Sequence, residues 1–169
     1  MDLFGLEAAL KYGPFSLQGE YIMADIDSVR RTDFTNFVWR DEEDVSFGSY
    51  YVQASYLLTG EDRPYDKGDA VFGRISPRRN FSLNGEGWGA FELALRFSNI
   101  DLDDGRVHGG EEDNWSLGLN WYLNPNTRIM FNYIRADVDR DIPISTTGLF
   151  RSGYQGDVDI LQTRFQFDF

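Results

Sequence analysis

From Trp115 to Leu123 the chain alternates without a break. Trp115, Leu117, Leu119, Trp121 and Leu123 fall on one side, and Ser116, Gly118, Asn120 and Tyr122 on the other. A period of two belongs to an extended strand, whose successive side chains leave opposite faces of a sheet; helix faces repeat every 3.6 residues or so. The same pattern recurs along the sequence. It covers Phe4–Tyr12, Phe15–Ala24, Ser46–Leu58, Trp88–Ile100, Thr127–Asp137 and Leu161–Phe169, where Leu161, Phe165, Phe167 and Phe169 oppose Gln162, Arg164, Gln166 and Asp168. Gly13-Pro14 and Asn124-Pro125-Asn126 supply tight turns between neighbouring runs. About seven strands and no amphipathic helix predict an all-β, antiparallel up-and-down fold in a single domain over residues 1–169.

The connections have a rhythm of their own. Short turns at Gly13-Pro14 and Asn124–Asn126 alternate with long polar loops expected at Ile26–Val45, Asp101–Asn114 and Val138–Gly156. Outer-membrane meander barrels follow that plan, with short turns on the periplasmic side and longer loops outside. Thr59–Gly87 breaks the rhythm, being long where a short turn is due, and it carries the basic run "GRISPRRNF".

Periodicity does not say whether the apolar face points into a core or out into lipid. A soluble sandwich or a lipocalin-like barrel would bury it. Aromatic residues near the strand ends suit the interfacial girdles of a membrane barrel, and the charges, amides and glycines opposite them suit a wet lumen. The 14 Phe, 9 Tyr and 4 Trp are abundant enough for such girdles. No apolar run nears the roughly 20 residues of a membrane helix, but a membrane strand needs only about 10, half of them apolar. Of the two arrangements, the membrane barrel is the expectation.

Charge and composition exclude other classes. With 28 acidic and 16 basic residues the formal charge is -12, so a phosphate backbone meets no basic face and nucleic acid is not an expected partner. Without cysteine there is no disulfide, thiolate metal site or thiol nucleophile. No phosphate-cradling glycine loop opens a helix, and no cofactor is expected. His108, the sole histidine, lies in the acidic stretch "DDGRVHGGEEDN" and reads as a solvated loop residue; it has no second imidazole for a metal site, and an enzyme is not expected.

The segments "YYVQASYLLTGEDRPYD", "GWGAFELALRFSNIDL", "WSLGLNWYLNPNTRIMFNYIRAD" and "DVDILQTRFQFDF" resemble, in order, the C-terminal portion of the phosphate-selective porin O and P family. The resemblance implies an outer-membrane barrel of sixteen strands, assembled as a homotrimer, that passes phosphate, polyphosphate or other inorganic anions. It also implies that Phe169 is the signal read by the barrel-assembly machinery. Complete family members are more than twice as long and begin after a signal peptide, which Met1–Phe4 lacks. The chain is therefore expected to be a C-terminal fragment of a larger barrel surrounded by outer-membrane lipid. The other possibility is an extra strand within Thr59–Gly87 that closes a small eight-stranded barrel.

A pore needs a field rather than a catalytic group. Strict alternation puts Glu7, Lys11, Glu20, Glu92, Arg96, Arg128, Arg164 and Asp168 on the lumen side, where Lys11, Arg96, Arg128 and Arg164 offer charge and guanidinium forks to phosphate oxygens. Each of these cations has the alternative of pairing with a neighbouring acid and merely filling the wall. Arg74, Arg78 and Arg79 form a basic cluster that either guides anions at the periplasmic mouth or offsets nearby acids. The resulting expectation is a passive outer-membrane channel for anions such as phosphate or polyphosphate. The alternative is a small β-barrel with a structural or binding role, as a membrane scaffold or a lipocalin-like carrier.

Overall fold

The computed structural model describes residues 1–33, 38–105, 107–143 and 151–169; side chains at 29–33, 38–43, 141–143, 151, 152 and 154 lie outside that description. Among the described residues nine strands run in chain order as β1 (Asp2–Tyr12), β2 (Phe15–Asp33), β3 (Val38–Leu57), β4 (Tyr65–Asp66), β5 (Val71–Phe72), β6 (Ala90–Asp104), β7 (Val107–Asn124), β8 (Thr127–Pro143) and β9 (Arg151–Phe167). Seven of them form one antiparallel meander, in the order β1-β2-β3-β6-β7-β8-β9, and β4 and β5 make a separate two-stranded piece. The sheet is open: β1 and β9 are its edges, and β4–β5 does not join it. An extra strand closing an eight-stranded barrel is thus not what Thr59–Gly87 provides among the described residues.

The strands are longer than the alternation suggested. Most of the loops expected at Ile26–Val45, Asp101–Asn114 and Val138–Gly156 are instead strand, with β2, β3, β7 and β8 spanning 19, 20, 18 and 17 residues. Residues 34–37, 106 and 144–150 of those loops lie outside the described residues. Alternation vanishes there because both faces meet water, which removes the apolar half of the pattern while leaving the backbone ladder intact.

Register shows what the alternation builds. On one face Gly19, Val52, Phe97 and Trp115 lie in adjacent strands, as do Leu17, Ala54, Leu95, Leu117, Tyr133 and Leu161. Aromatic rings bound this belt at both ends. Towards one end, Tyr50 meets Phe97 at 6.0 Å and Phe97 meets Trp115 at 4.8 Å between ring centroids. At the short-turn end Trp121 stacks on Phe91 at 5.6 Å, takes Phe81 edge-on at 5.2 Å and donates its indole N–H to the Trp88 carbonyl at 2.7 Å.

Nothing covers the belt: Leu93, Leu117 and Phe165 are 43%, 47% and 64% exposed. The buried apolar residues, Val45, Leu57, Ile75, Ala90, Tyr122 and Ala136, all belong to the opposite, polar face or to the connection lying on it. A soluble sandwich or lipocalin-like barrel would do the reverse, burying Leu95 and Leu117 and wetting Tyr122. The belt therefore faces a low-dielectric solvent, as the lipid face of a transmembrane barrel does. Leu117→Arg, near the middle of the belt, is expected to cost about 2–4 kcal/mol of barrel stability, whereas Ser116→Arg on the opposite face costs far less. Urea midpoints for unfolding from liposomes measure both, and equal losses would contradict this assignment of faces.

Candidate functional site: the polar face and the connection folded onto it

The residues between β3 and β6 do not hang away from the sheet. They fold back over the polar face at the short-turn end, where Arg63 N donates to the Gly13 carbonyl at 3.4 Å and Phe81 N to the Leu123 carbonyl at 2.7 Å. Gly89 explains the tight return into β6. It has φ +75°, and a Cβ there would come within 2.2 Å of the Tyr122 carbonyl oxygen, so only glycine fits.

A buried polar group pins this connection down. Glu92 on β6, 2% exposed, accepts from Asn120 Nδ2 at 3.0 Å and from the Tyr122 hydroxyl at 2.6 Å. Arg63 Nη2, from the connection, completes the set as an ion pair with Glu92 Oε1. Burial lowers the Arg63 guanidinium below its ordinary pKa, and neighbouring Tyr122 opposes that drop. Phe72 of β5 lies beneath the guanidinium, 5.4 Å from ring centroid to Cζ. A second buried carboxylate, Glu61, accepts from Thr59 Oγ1 and from Arg78 N at 3.2 Å. Leu57, Ile75, Ala90 and Tyr122 form the small apolar cluster under the same fold.

The cations expected along the lumen fall into two groups. Lys11 reaches Asp62 of the connection at 3.7 Å, and Arg128 gives Nε and Nη2 to Gln166 Oε1 at 3.1 and 2.8 Å. Arg96 lies flat on Tyr51, its Cζ 3.9 Å from the ring centroid, beside a cavity of about 280 Å³ that Glu20, Ser98 and Asn114 also line. Arg164 is exposed on the edge strand β9. Among the described residues Arg96, Arg128 and Arg164 have no carboxylate within ion-pair distance.

Glu7 and Glu20 face each other across β1 and β2 on this same face. Glu92, expected as an open lumen residue, is instead sealed beneath the connection. Asp168 holds Gln166 Nε2 at 2.9 Å, and Phe169 stands fully exposed just past the end of β9.

The basic cluster divides. Arg74 reaches across to Asn126 Oδ1 at 2.8 Å and to Asp168 at 3.8 Å, Arg78 caps the Gly60 carbonyl, and Arg79 is exposed. His108 is on β7 opposite Asp103 rather than in a loop, and no group of three metal-ligating side chains forms among the described residues. Sequence reasoning missed Arg63, which lies in a stretch without periodicity 29 residues from its partner Glu92.

An antiparallel meander with an uncovered apolar belt outside and guanidiniums, amides and acids inside is the wall of a transmembrane β-barrel. The chain belongs to the phosphate-selective porin O and P family, whose family model matches residues 2–169. It is similar to Porin O of Pseudomonas aeruginosa, with 30% identity over 148 residues covering 82% of this chain and 30% of that protein. It is also similar to an uncharacterized protein of Caulobacter vibrioides, with 32% identity over 143 residues covering 83% of this chain and 26% of the relative. The chain thus spans less than a third of the length of these relatives.

Proposed function

We propose that this chain forms part of the wall of an outer-membrane porin that lets small anions, phosphate among them, diffuse passively. The observation that carries the proposal is the division of the sheet: an uncovered apolar belt on one face, and on the other Arg96 and Arg128, which have no carboxylate within ion-pair distance among the described residues. A guanidinium held by neutral partners keeps its full charge for a passing ion, and its fork matches the oxygens of phosphate. The name of the Pseudomonas relative and the family's description support the same reading. The complete barrel in this reading is a homotrimer of sixteen-stranded subunits in bacterial outer-membrane lipid, with Phe169 read by the assembly machinery.

The test is the reversal potential of the complete porin in a planar bilayer under a potassium chloride gradient, repeated with phosphate as the anion. A potential on the chloride side is the expected result. A potential on the potassium side would sink the anion reading, and absence of conductance would leave a membrane-anchored scaffold.

A further inference from the structure

The connection between β3 and β6 touches both faces of the sheet. Its first part seals Glu92 on the polar face, whereas Phe81 packs on the apolar side, edge-on to Trp121 at 5.2 Å between ring centroids. Trp121 in turn stacks on Phe91 and donates its indole N–H to the Trp88 carbonyl. Residues 79–88 therefore stand at the short-turn border of the apolar belt.

This stretch is a small, fixed hairpin. Ser82 N donates to the Gly87 carbonyl at 3.0 Å, and Gly85 N to the Ser82 carbonyl at 3.1 Å, which closes a turn with Leu83 at its tip. A Cβ at Gly87 would come within 2.2 Å of the Asn80 carbonyl oxygen, so the legs close only on glycine. At its base Arg78 is tied back to the connection, its N–H on Glu61 and its guanidinium on the Gly60 carbonyl. The hairpin nevertheless holds its apolar side chains out: Leu83 is 92% exposed and Trp88 70%. Arg79 is exposed beside them and, among the described residues, has no carboxylate within ion-pair distance.

A stiff tip gains nothing by showing leucine and tryptophan to water. The same three side chains match what a phospholipid leaflet offers at this depth: acyl chains for leucine, the headgroup level for tryptophan, and phosphate for arginine. We propose that residues 79–88 form a lipid-binding foot on the periplasmic leaflet, with Leu83 among the acyl chains, Trp88 at headgroup level and Arg79 on the phosphate of an anionic phospholipid. The proposal rests on the outer-membrane barrel reading. Continuity with Trp121 and Phe91 of the belt and the charge of Arg79 select lipid as the occupant. Glu86, the one acid of the hairpin, is the group left in water. The connection is thus clamped over the rim of the wall, by Arg63 on Glu92 on one side and by lipid on the other.

The experiment uses the complete porin in vesicles of phosphatidylcholine and phosphatidylglycerol, spin-labelled at Leu83→Cys, Leu117→Cys or Lys67→Cys; this chain contributes no other cysteine. Oxygen concentrates among acyl chains, and a nickel chelate stays in water. The Leu83→Cys label is expected to behave as the one in the belt at Leu117→Cys does, open to oxygen and shielded from chelate, with Lys67→Cys the reverse. A fluorophore on Leu83→Cys in maltoside detergent then reads phosphatidylglycerol binding at the hairpin itself. Adding Arg79→Gln is expected to weaken that binding about fivefold, equivalent to the about 1 kcal/mol of one cation near an anionic surface. Adding Lys67→Gln is expected to leave it unchanged.

Chelate access at Leu83→Cys beside oxygen access at Leu117→Cys would overturn the foot while the barrel stands. Chelate access at both would overturn the membrane placement on which the foot rests. Spin–spin broadening at Leu83→Cys between subunits would assign the hairpin to a second copy of the chain, and binding unmoved by Arg79→Gln would remove the phosphate contact. Either of these last results overturns the proposal as stated.

Discussion

Refolded by itself in detergent, the 169-residue chain is expected to give no compact, heat-shifted band at monomer mass. The open sheet leaves the outer edges of β1, 11 residues long, and β9, 17 residues long, with the hydrogen-bonding groups of about every second residue unmatched. In hydrocarbon such groups cost roughly 2–7 kcal/mol apiece, and water is not there to take them. A few suffice to exceed the about 5–15 kcal/mol by which an ordinary fold is stable.

The sheet has no easy escape by rolling up. It is an antiparallel meander of seven strands, so β1 and β9 run in the same direction. Closing one on the other would require a parallel seam, which single-chain bacterial barrels avoid by using even strand numbers. Aggregation or oligomers through the edges is the expected behaviour. The check is gel mobility of cold against boiled samples, together with the mass of the refolded species. A heat-shifted monomer would mean that seven strands do close, and the account of the edges given above would be wrong.

Glu92→Ala is expected to cost about 3–5 kcal/mol and to free the connection between β3 and β6. The carboxylate is buried and serves three donors, from Arg63, Asn120 and Tyr122. Removing it leaves the Arg63 charge under the fold with nothing to balance it, and that uncompensated charge is the larger part of the cost. Replacing both partners by Met is expected to cost less than the single change, because the desolvation of both ions is then relieved as well. Denaturant midpoints measure the energies. Trypsin supplies a local reading, since Lys67 and Arg74 lie in the connection and are cut faster when it lifts. If Glu92→Ala left both the midpoint and the cleavage unchanged, the ion pair would not be what holds the connection.

The middle of each strand was legible in the sequence because lipid imposes a rule there. Trp115 to Leu123 must present an apolar residue at every second position, and the structure pairs those residues with Phe91, Leu93, Leu95 and Phe97 as the alternation implies. The outer halves were not legible. Glu111, Glu112 and Asp113 sit in β7 next to Asp101 and Ile100 of β6 with the ladder unbroken, yet neither face there is apolar, and a run of acids reads as loop. The same blindness applied to His108.

The polar face was partly legible: alternation identified Arg96 and Arg128, but not that Tyr51 would carry one and Gln166 the other. Arg63 was beyond reach, because its partner Glu92 is 29 residues away and meets it only once the connection folds back. A stretch such as "GEDRPYD" carries no periodic signal that it will be buried.

The length of β7 has a consequence for traffic. Val107 to Asn114 continue the strand past the aromatic boundary at Trp115, about 25 Å of ladder at the usual rise per residue. Glu111, Glu112 and Asp113 ride on it, with Asp101, Asp103 and Asp104 on the neighbouring strand. Under the channel reading, an anion entering from that end passes these carboxylates together with the guanidinium of Arg140 on β8, which stands beside Gly110 of β7. From the short-turn end it meets Arg74 first. The reach of these carboxylates is set by the solution: about 30 Å at 0.01 M salt and about 8 Å at 0.15 M. If the channel reading holds, anions are therefore expected to enter unequally from the two ends in dilute media and almost evenly in brine.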